Sequence, residues 1–262
     1  AGPNERNVIS GNLEEGVEIS HQVNTANNQV VGNFIGTEPS GTAGPVWARN
    51  QGSGIFVEDG SSNNLVANNV VGNSGWTCCE QGGIIVDWFY ANGNRITGNL
   101  VGVSLNGTPI PNGTVGIRVA DGPHNTVIGP SNTVAYNPKG IVISGDNTIY
   151  NTITQNSMFS NGTGITLVPP GNAGIQPPTI TNATVGQATG NACSGCRVEV
   201  FSVANSGAAP QGLHMIGAGQ AQGSGGYSFQ VDAVPAGSYI TATATDVQGN
   251  TIAWASAGAQ GF

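Results

Sequence analysis

The chain has 262 residues, of which only 8% are charged, and its formal net charge at pH 7 is -8. The composition therefore predicts no binding to nucleic acid, because binding to phosphates depends on lysine and arginine, and Lys139 is the only lysine. No run of 18 apolar residues is present, so the sequence predicts no membrane insertion. The length is sufficient for two domains.

Two short motifs alternate along the first two-thirds of the chain. Asn-x-apolar-x-x-Asn occurs six times, at residues 7–12, 28–33, 64–69, 94–99, 132–137 and 151–156. Gly-apolar-x-apolar also occurs six times, beginning at Gly16, Gly54, Gly83, Gly116, Gly140 and Gly164. Apolar residues two positions apart have the period of a β-strand, and Gly and Asn favour turns. The repeat therefore predicts many short strands rather than a disordered Gly/Asn-rich chain.

The spacing of the repeats predicts a parallel β-helix over residues 1–168. Gly140 and Gly164 are 24 residues apart, which fits one coil stacked on the next, and the longer intervals before them are assigned to loops. Equivalent residues of stacked coils lie about 4.8 Å apart, so equivalent asparagines can form a hydrogen-bonded ladder. The predicted ladder consists of Asn33, Asn69, Asn99, Asn137 and Asn156.

The composition changes after residue 168. Residues 169–178 contain four prolines, which predicts a stiff linker where the coils stop stacking. Beyond it, clean apolar/polar alternation at 197–203, 227–231 and 239–245 is separated by glycine-rich turns. This pattern predicts a small antiparallel β-sandwich of immunoglobulin-like type over residues 179–262, with its last strand at 251–256.

The four cysteines form two close pairs in the sequence. Zinc is disfavoured because Cys78 and Cys79 are adjacent, and a redox role for Cys193 and Cys196 would require a thioredoxin-like βαβ context. We favour disulfides in an oxidising, extracellular setting. Local pairing would give Cys193–Cys196 and Cys78–Cys79, while the other connectivities, which would join the two domains or two subunits, stay open.

One outward-facing set of side chains is a candidate site. Alignment of the Gly-apolar-x-apolar strands places Glu58 and Asp87 on adjacent coils, with Arg118 on the same face and Trp88 and Asp121 one position further along. Paired carboxylates are suited to glycoside hydrolysis or to binding calcium, and exposed aromatic rings are suited to stacking on sugars. The simpler interpretation is an ordinary solvated face of the β-helix.

Other features of the sequence limit the chemistry. A polysaccharide lyase would require a basic residue to abstract a proton, and the single lysine and five arginines form no cluster. The anionic surface would also repel an acidic polysaccharide unless a cation bridged the two. His124 and His214 lie in loop-like contexts and suggest no catalytic triad.

The repeats resemble a known class of proteins. Residues 7–12, 16–19 and 32–37 are similar to the right-handed parallel β-helix repeats of large bacterial secreted surface proteins. Residues 198–201, 226–229 and 241–251 resemble the immunoglobulin-like module that often follows them. The family motif usually continues with Ser-Glu-Phe-Ser, whereas residues 252–255 read Ile-Ala-Trp-Ala. The resemblance implies a right-handed β-helix and an extracellular or cell-surface location, and implies little about activity.

Two functional hypotheses follow from these observations. The first is a non-enzymatic extracellular structural or adhesive protein, in which the uncovered coil at Asn7 docks on a neighbour's C-terminal module and forms a head-to-tail filament. The residues assigned to that contact are Asn7, Ile252, Trp254 and Phe262. The start of the chain almost directly in a coil is typical of a processed product or fragment. The second hypothesis is a carbohydrate-active enzyme, a polysaccharide hydrolase or lyase, or a polysaccharide-binding module.

Overall fold

The computed structural model of the chain describes residues 6–21, 25–76, 81–184, 186–203, 211–235, 238–252, 254–255 and 259–260. It confirms the predicted all-β fold, in which a parallel β-helix is followed by a small antiparallel β-sandwich. Within these ranges, no helix has the length and apolar character needed to cross a membrane.

The β-helix consists of short strands separated by corners. In the described ranges these are β1 (Val8–Ile9), β2 (Val17–Ile19), β3 (Gln29–Val31), β4 (Phe34–Ile35), β5 (Ile55–Val57), β6 (Leu65–Ala67), β7 (Val70–Val71), β8 (Gly82–Asp87), β9 (Arg95–Thr97), β10 (Leu100–Val101), β11 (Val115–Ala120), β12 (Val127–Ile128), β13 (Thr133–Ala135), β14 (Lys139–Ser144), β15 (Thr152–Ile153), β16 (Ser157–Phe159) and β17 (Thr163–Val168). Short 3-10 turns occur at Val46–Ala48 and Gly171–Gly174.

Successive coils contribute strands to three parallel sheets, and each complete coil supplies one strand to each sheet. The long sheet contains β2, β5, β8, β11, β14 and β17, the second sheet contains β3, β6, β9, β12 and β15, and the third sheet contains β1, β4, β7, β10, β13 and β16. Every pairing within these sheets is parallel and joins equivalent positions of neighbouring coils. A given position of the repeat therefore forms a row that runs along the rod.

The core of the rod is made of stacked aliphatic side chains. Inward positions of the three sheets supply Ile and Val almost exclusively, and most of these side chains are fully buried. β-Branched side chains are stiff and pack well on a pleated surface, so these side chains stack coil upon coil. This regular core fixes the position of the residues on the outer face.

The described asparagines form three ladders rather than one. The first ladder is Asn7, Asn33, Asn69, Asn99, Asn132 and Asn156. The second includes Asn12 and Asn50 and, further along, Asn112, Asn137 and Asn161. The third includes Asn28, Asn64 and Asn94, and continues with Asn151 and Asn172. In each amide-to-amide step the Nδ2 group donates to the Oδ1 atom of the next coil, so the ladders have a direction.

The predicted ladder therefore needs one correction. Asn137 does not stack on Asn99, because Asn99 donates to Asn132 at 3.0 Å and Asn137 donates to Asn161 at 3.2 Å in the second ladder. The motif at residues 132–137 spans the third-sheet strand β13, whereas the motif at 94–99 spans the second-sheet strand β9. The same sequence pattern thus occurs at two different corners of the coil.

The C-terminal module contains two antiparallel sheets. Its described strands are β18 (Thr179–Thr184), β19 (Gln187–Asn191), β20 (Arg197–Val203), β21 (Gly212–Gln220), β22 (Gly226–Gln230), β23 (Tyr239–Thr245) and β24 (Ala259–Gln260). One sheet has the order β18-β19-β22 and the other has the order β21-β20-β23-β24. In the described part of the expected strand at 251–256, Thr251 bridges Thr245, and the backbone N–H groups of Ile252 and Ala255 donate to Ala244 and Ala242 of β23. The Trp254 side chain packs in the core of the rod.

The module covers the C-terminal end of the rod. The exposed end of a β-helix presents unpaired N–H groups, and the module supplies oxygen atoms that accept them. The Oε1 atom of Gln211 accepts from Asn161, the Oγ1 atom of Thr251 accepts from the backbone of Ile153, and the Glu199 carboxylate accepts from Gln155. Asn172 also extends the third ladder, so part of the predicted linker belongs structurally to the rod.

Two of the four residues assigned to the head-to-tail contact are buried within the chain itself. Ile252 is buried in the core of its own module, and Trp254 is buried with Phe201 against the core of its own rod. Neither side chain is available for docking on a neighbouring chain. Asn7 is half-buried at the start of the first ladder, and Phe262 lies outside the described residues.

Candidate functional site

The register of the long sheet determines which outward side chains lie together. Val57 pairs with Val86, so the residues that follow them, Glu58 and Asp87, occupy equivalent positions of successive coils, and Asp87 in turn pairs with Ala120. The preceding outward position aligns Phe56, Ile85 and Arg118 in the same way. The alignment of these residues derived from the glycine spacing thus matches the observed register.

A sharp corner follows the strands β5, β8, β11 and β14 of the long sheet. The first residue of this corner has a left-handed backbone, with φ of 57° at Asp59, 68° at Trp88, 59° at Asp121 and 91° at Gly145. Asp and Gly adopt this conformation readily, but a tryptophan there is uncommon. The corner rotates the Trp88 ring away from the sheet, so that 57% of the residue is exposed.

Arg118 links two carboxylates at this corner. Its Nη1 atom lies 2.6 Å from Asp87 Oδ2, and its Nη2 atom lies 3.4 Å from Asp121 Oδ2. Asp87 is only 7% exposed and also accepts a hydrogen bond from the backbone N–H of Trp88. Burial raises the pKa of Asp87, while the Arg118 charge and these hydrogen bonds oppose that change. Asp87 is thus a positioning group for Arg118 and for the corner that carries Trp88.

Glu58 has a different electrostatic environment. Burial, the charge of Glu18 and a hydrogen bond to Glu18 together raise the pKa of Glu58 to about 7, with smaller contributions from Asp59 and Asp87. Two carboxyl groups this close are stabilised when one of them holds a proton. Glu58 therefore exchanges its proton near neutral pH, whereas an ordinary glutamate is ionised there.

Glu58 should make the stability of the protein depend on pH. Because its pKa rises from 4.5 to about 7 on folding, the folded chain binds a proton more tightly. The contribution of Glu58 to stability is therefore fully present below pH 4.5, is lost progressively between pH 4.5 and 7, and is absent above pH 7. Glu58→Gln should remove this decline and raise the unfolding free energy at pH 8 by about 1 kcal/mol, a value reduced for solvent screening.

Urea unfolding at pH 4.5 and pH 8 measures this effect. The matched control is Glu14→Gln, which removes the same charge from an exposed position. If Glu58→Gln and Glu14→Gln equally change the difference in unfolding free energy between pH 4.5 and pH 8, Glu58 does not have the proposed environment.

The most open concave surface of this region lies beside the aromatic corner. A groove of about 550 Å³ is lined by Trp88, Phe89, Asp121, Gly145 and Asp146. Phe89 is 55% exposed, and its ring lies against the backbone of Gly122, where a Cβ atom would come within 2.4 Å of it. Two aromatic rings and two carboxylates therefore face one solvent-filled space on a rigid scaffold.

The structure separates the predicted site residues into two groups. Trp88 and Asp121 line the groove, and Arg118 and Asp87 support it from the adjoining sheet. Glu58 is one coil away and does not line the groove. Phe89, which follows Trp88, also lines the groove, and Asp146 was not among the predicted site residues. The position of Asp146 could have been found from the repeat, because Gly145 aligns with Asp121 and Asp146 follows it.

The structure also locates the predicted disulfide cysteines and the two histidines noted in the sequence. Cys193 and Cys196 form a disulfide, whereas Cys78 and Cys79 lie outside the described residues. In the described ranges, no group of three or more His, Cys, Asp or Glu side chains is arranged to hold a metal ion. His124 lies 6.4 Å from the Tyr150 ring, measured between ring centroids, and His214 is exposed on β21.

Comparison of the whole chain with protein-family models and with curated proteins gave no match.

Proposed function

We propose that the protein is a non-enzymatic, extracellular adhesive rod that binds a glycan in the groove lined by Trp88, Phe89, Asp121, Gly145 and Asp146. The observation that carries this proposal is the exposure of two adjacent aromatic rings beside carboxylates in one groove. Aromatic rings pack on the C–H faces of sugars, and carboxylates accept hydrogen bonds from sugar hydroxyls. Because the groove stands on the rigid corners of stacked coils, little conformational entropy is lost on binding.

An extracellular, cell-surface location is part of the proposal. The Cys193–Cys196 disulfide supports it, since disulfides persist in oxidising compartments. The resemblance of the repeats to bacterial secreted surface proteins supports it as well. A rod of stacked coils is also well suited to present a binding groove at a distance from an anchoring surface.

Calorimetric titration with neutral and amino-sugar hexasaccharides tests the proposal. Trp88→Ala should weaken binding at least tenfold, because a buried aromatic contact contributes about 1–1.5 kcal/mol or more to an interface. The matched control is Trp47→Ala, which removes another exposed tryptophan remote from the groove lining. Absence of binding to every sugar, or equal binding by wild type and Trp88→Ala, would contradict the proposal.

Glycoside hydrolysis is the second candidate, and the raised pKa of Glu58 is the observation that favours it. A carboxyl group that holds its proton near pH 7 is suited to act as a general acid. Against this role, Asp87 is engaged by Arg118, and Glu58 lies outside the groove. The same sugar panel distinguishes the two candidates. Release of new reducing ends by wild type, lost in Glu58→Gln, would favour the enzyme over the binding protein.

A further inference from the structure

The charges around the groove are unbalanced. Asp87 and Asp121 share the single positive charge of Arg118, at 2.6 and 3.4 Å. Asp146 is exposed at the opposite edge, and among the described residues no cation lies within ion-pair distance of it. Three carboxylates and one guanidinium leave a net negative groove on a chain that already carries a net charge of -8.

The aromatic rings that line the groove also favour a positively charged ligand. A cation over the face of a tryptophan or phenylalanine ring is attracted by the negative electrostatic potential of the ring. Trp88 and Phe89 present such rings on the groove that Asp146 also lines. A ligand with a positive charge therefore gains from the ring faces and from Asp146 together, whereas a neutral sugar gains only the packing contact and weaker hydrogen bonds.

As a refinement that rests on the glycan-binding function proposed above, we infer that the groove selects oligosaccharides with a free ammonium group, that is, de-N-acetylated amino sugars. The ammonium group binds Asp146, and the sugar ring packs on Trp88. The acidic surface increases the local concentration of such a cationic ligand and repels acidic polysaccharides.

Three hexasaccharides of equal length separate the contribution of the ammonium group from that of the sugar ring. Glucosamine hexamer carries ammonium groups, N-acetylglucosamine hexamer replaces them by amides, and cello-hexaose has hydroxyl groups only. We expect wild type to bind the glucosamine hexamer at least tenfold more tightly than either of the others. Raising NaCl from about 0.05 to 0.5 M should weaken this binding several-fold, since the Debye length shortens.

Substitution of Asp146 tests the contact directly. Asp146→Asn should weaken binding of the glucosamine hexamer about tenfold, as expected for loss of a charged hydrogen bond, and should weaken cello-hexaose binding much less, because the asparagine amide oxygen still accepts hydrogen bonds from hydroxyl groups. Asp232→Asn is the matched control, because it removes the same charge from an exposed position in the C-terminal module. Circular dichroism melting of each variant reports whether the fold is kept.

The possible outcomes separate the inference from the function on which it rests. Equal binding of all three sugars would overturn the selection for an ammonium group and leave glycan binding intact. Binding of none would overturn both. If a trilysine peptide bound as tightly as the glucosamine hexamer and was weakened equally by Asp146→Asn, the groove would be a general cation site, and the assignment to sugars would fail.

Discussion

Replacement of Asn99 by alanine is expected to lower the unfolding free energy by about 4 kcal/mol and the melting temperature by about 10 °C. Asn99 is fully buried in the first ladder. Its Oδ1 atom accepts from both the backbone N–H and the Nδ2 group of Asn69, each at 3.0 Å. Alanine would leave the backbone N–H of Asn69 buried without a partner and would leave its Nδ2 group with only the Val30 carbonyl, at 2.8 Å, and each buried N–H that loses its acceptor costs about 1–3 kcal/mol.

The same substitution also removes donors. The Nδ2 group of Asn99 donates to the Oδ1 atom of Asn132 at 3.0 Å and to the backbone carbonyl of Val66 at 2.9 Å. The ladder thus joins three consecutive coils at one corner, and its loss destabilises all three. Since domains are stable by only about 5–15 kcal/mol, this one change removes a large fraction of the total.

Thermal melting followed by circular dichroism measures the effect, with Asn182→Ala as the control. Asn182 is exposed on β18, and among the described residues its side chain makes no hydrogen bond. Its replacement should shift the melting temperature by less than about 2 °C. A shift for Asn99→Ala as small as that of the control would show that the ladder contributes little to stability.

The sequence was sufficient to predict the coil architecture because the apolar positions keep a strict period of two between turn residues. It also placed Glu58 beside Asp87, since the glycine that starts each long-sheet strand fixes the register. The assignment of Asn137 failed because the Asn-x-apolar-x-x-Asn motif is used at two corners of the coil. The 24-residue spacing of Gly140 and Gly164 would have identified Asn132, 24 residues before Asn156, as the stacked residue.

The position of the C-terminal module was beyond the reach of the sequence pattern. Alternation predicted β20 and β23 with their observed bounds, because one face of each strand is buried in the module. It could not predict that Glu199 is 2% exposed, because this depends on the donors that the rod end presents to it. The sequence pattern placed Trp254 in a strand, because its contact with the rod likewise depends on the other domain. Contacts between domains leave no period in the sequence of either domain.

Trp254 holds the module on the rod. Its ring packs edge-on against Phe201, with the centroids 5.1 Å apart, and belongs to the same buried core as Met158 and Ile165 of the last coil. Gly164 permits this contact, because a Cβ atom there would lie 2.5 Å from the indole nitrogen. Trp254→Ala should therefore cost about 3–5 kcal/mol and release the module, which limited proteolysis of the segment between the domains would detect.

The direction of the ladders determines which hydrogen-bonding groups each end of the rod presents. The C-terminal end presents N–H donors, which in the docked state are bound by Gln211, Thr251 and Glu199. At the opposite end, the Oδ1 atoms of Asn7, Asn12 and Asn28 receive no hydrogen bond from any described residue. The two ends are therefore complementary, and stacking of one on the other continues all three ladders in the same direction.

We therefore expect Trp254→Ala to self-associate head to tail in a concentration-dependent manner, while wild type does not. An unlike pair of surfaces that does not close into a ring generates a filament, and an unpaired strand edge is a template for such pairing. Light scattering and electron microscopy of both proteins, with Trp47→Ala as the control for loss of a tryptophan, measure the difference. If proteolysis shows the module released and Trp254→Ala still remains monomeric, the ladder ends do not drive assembly. If wild type forms filaments with its module docked, the contact lies elsewhere on the surface.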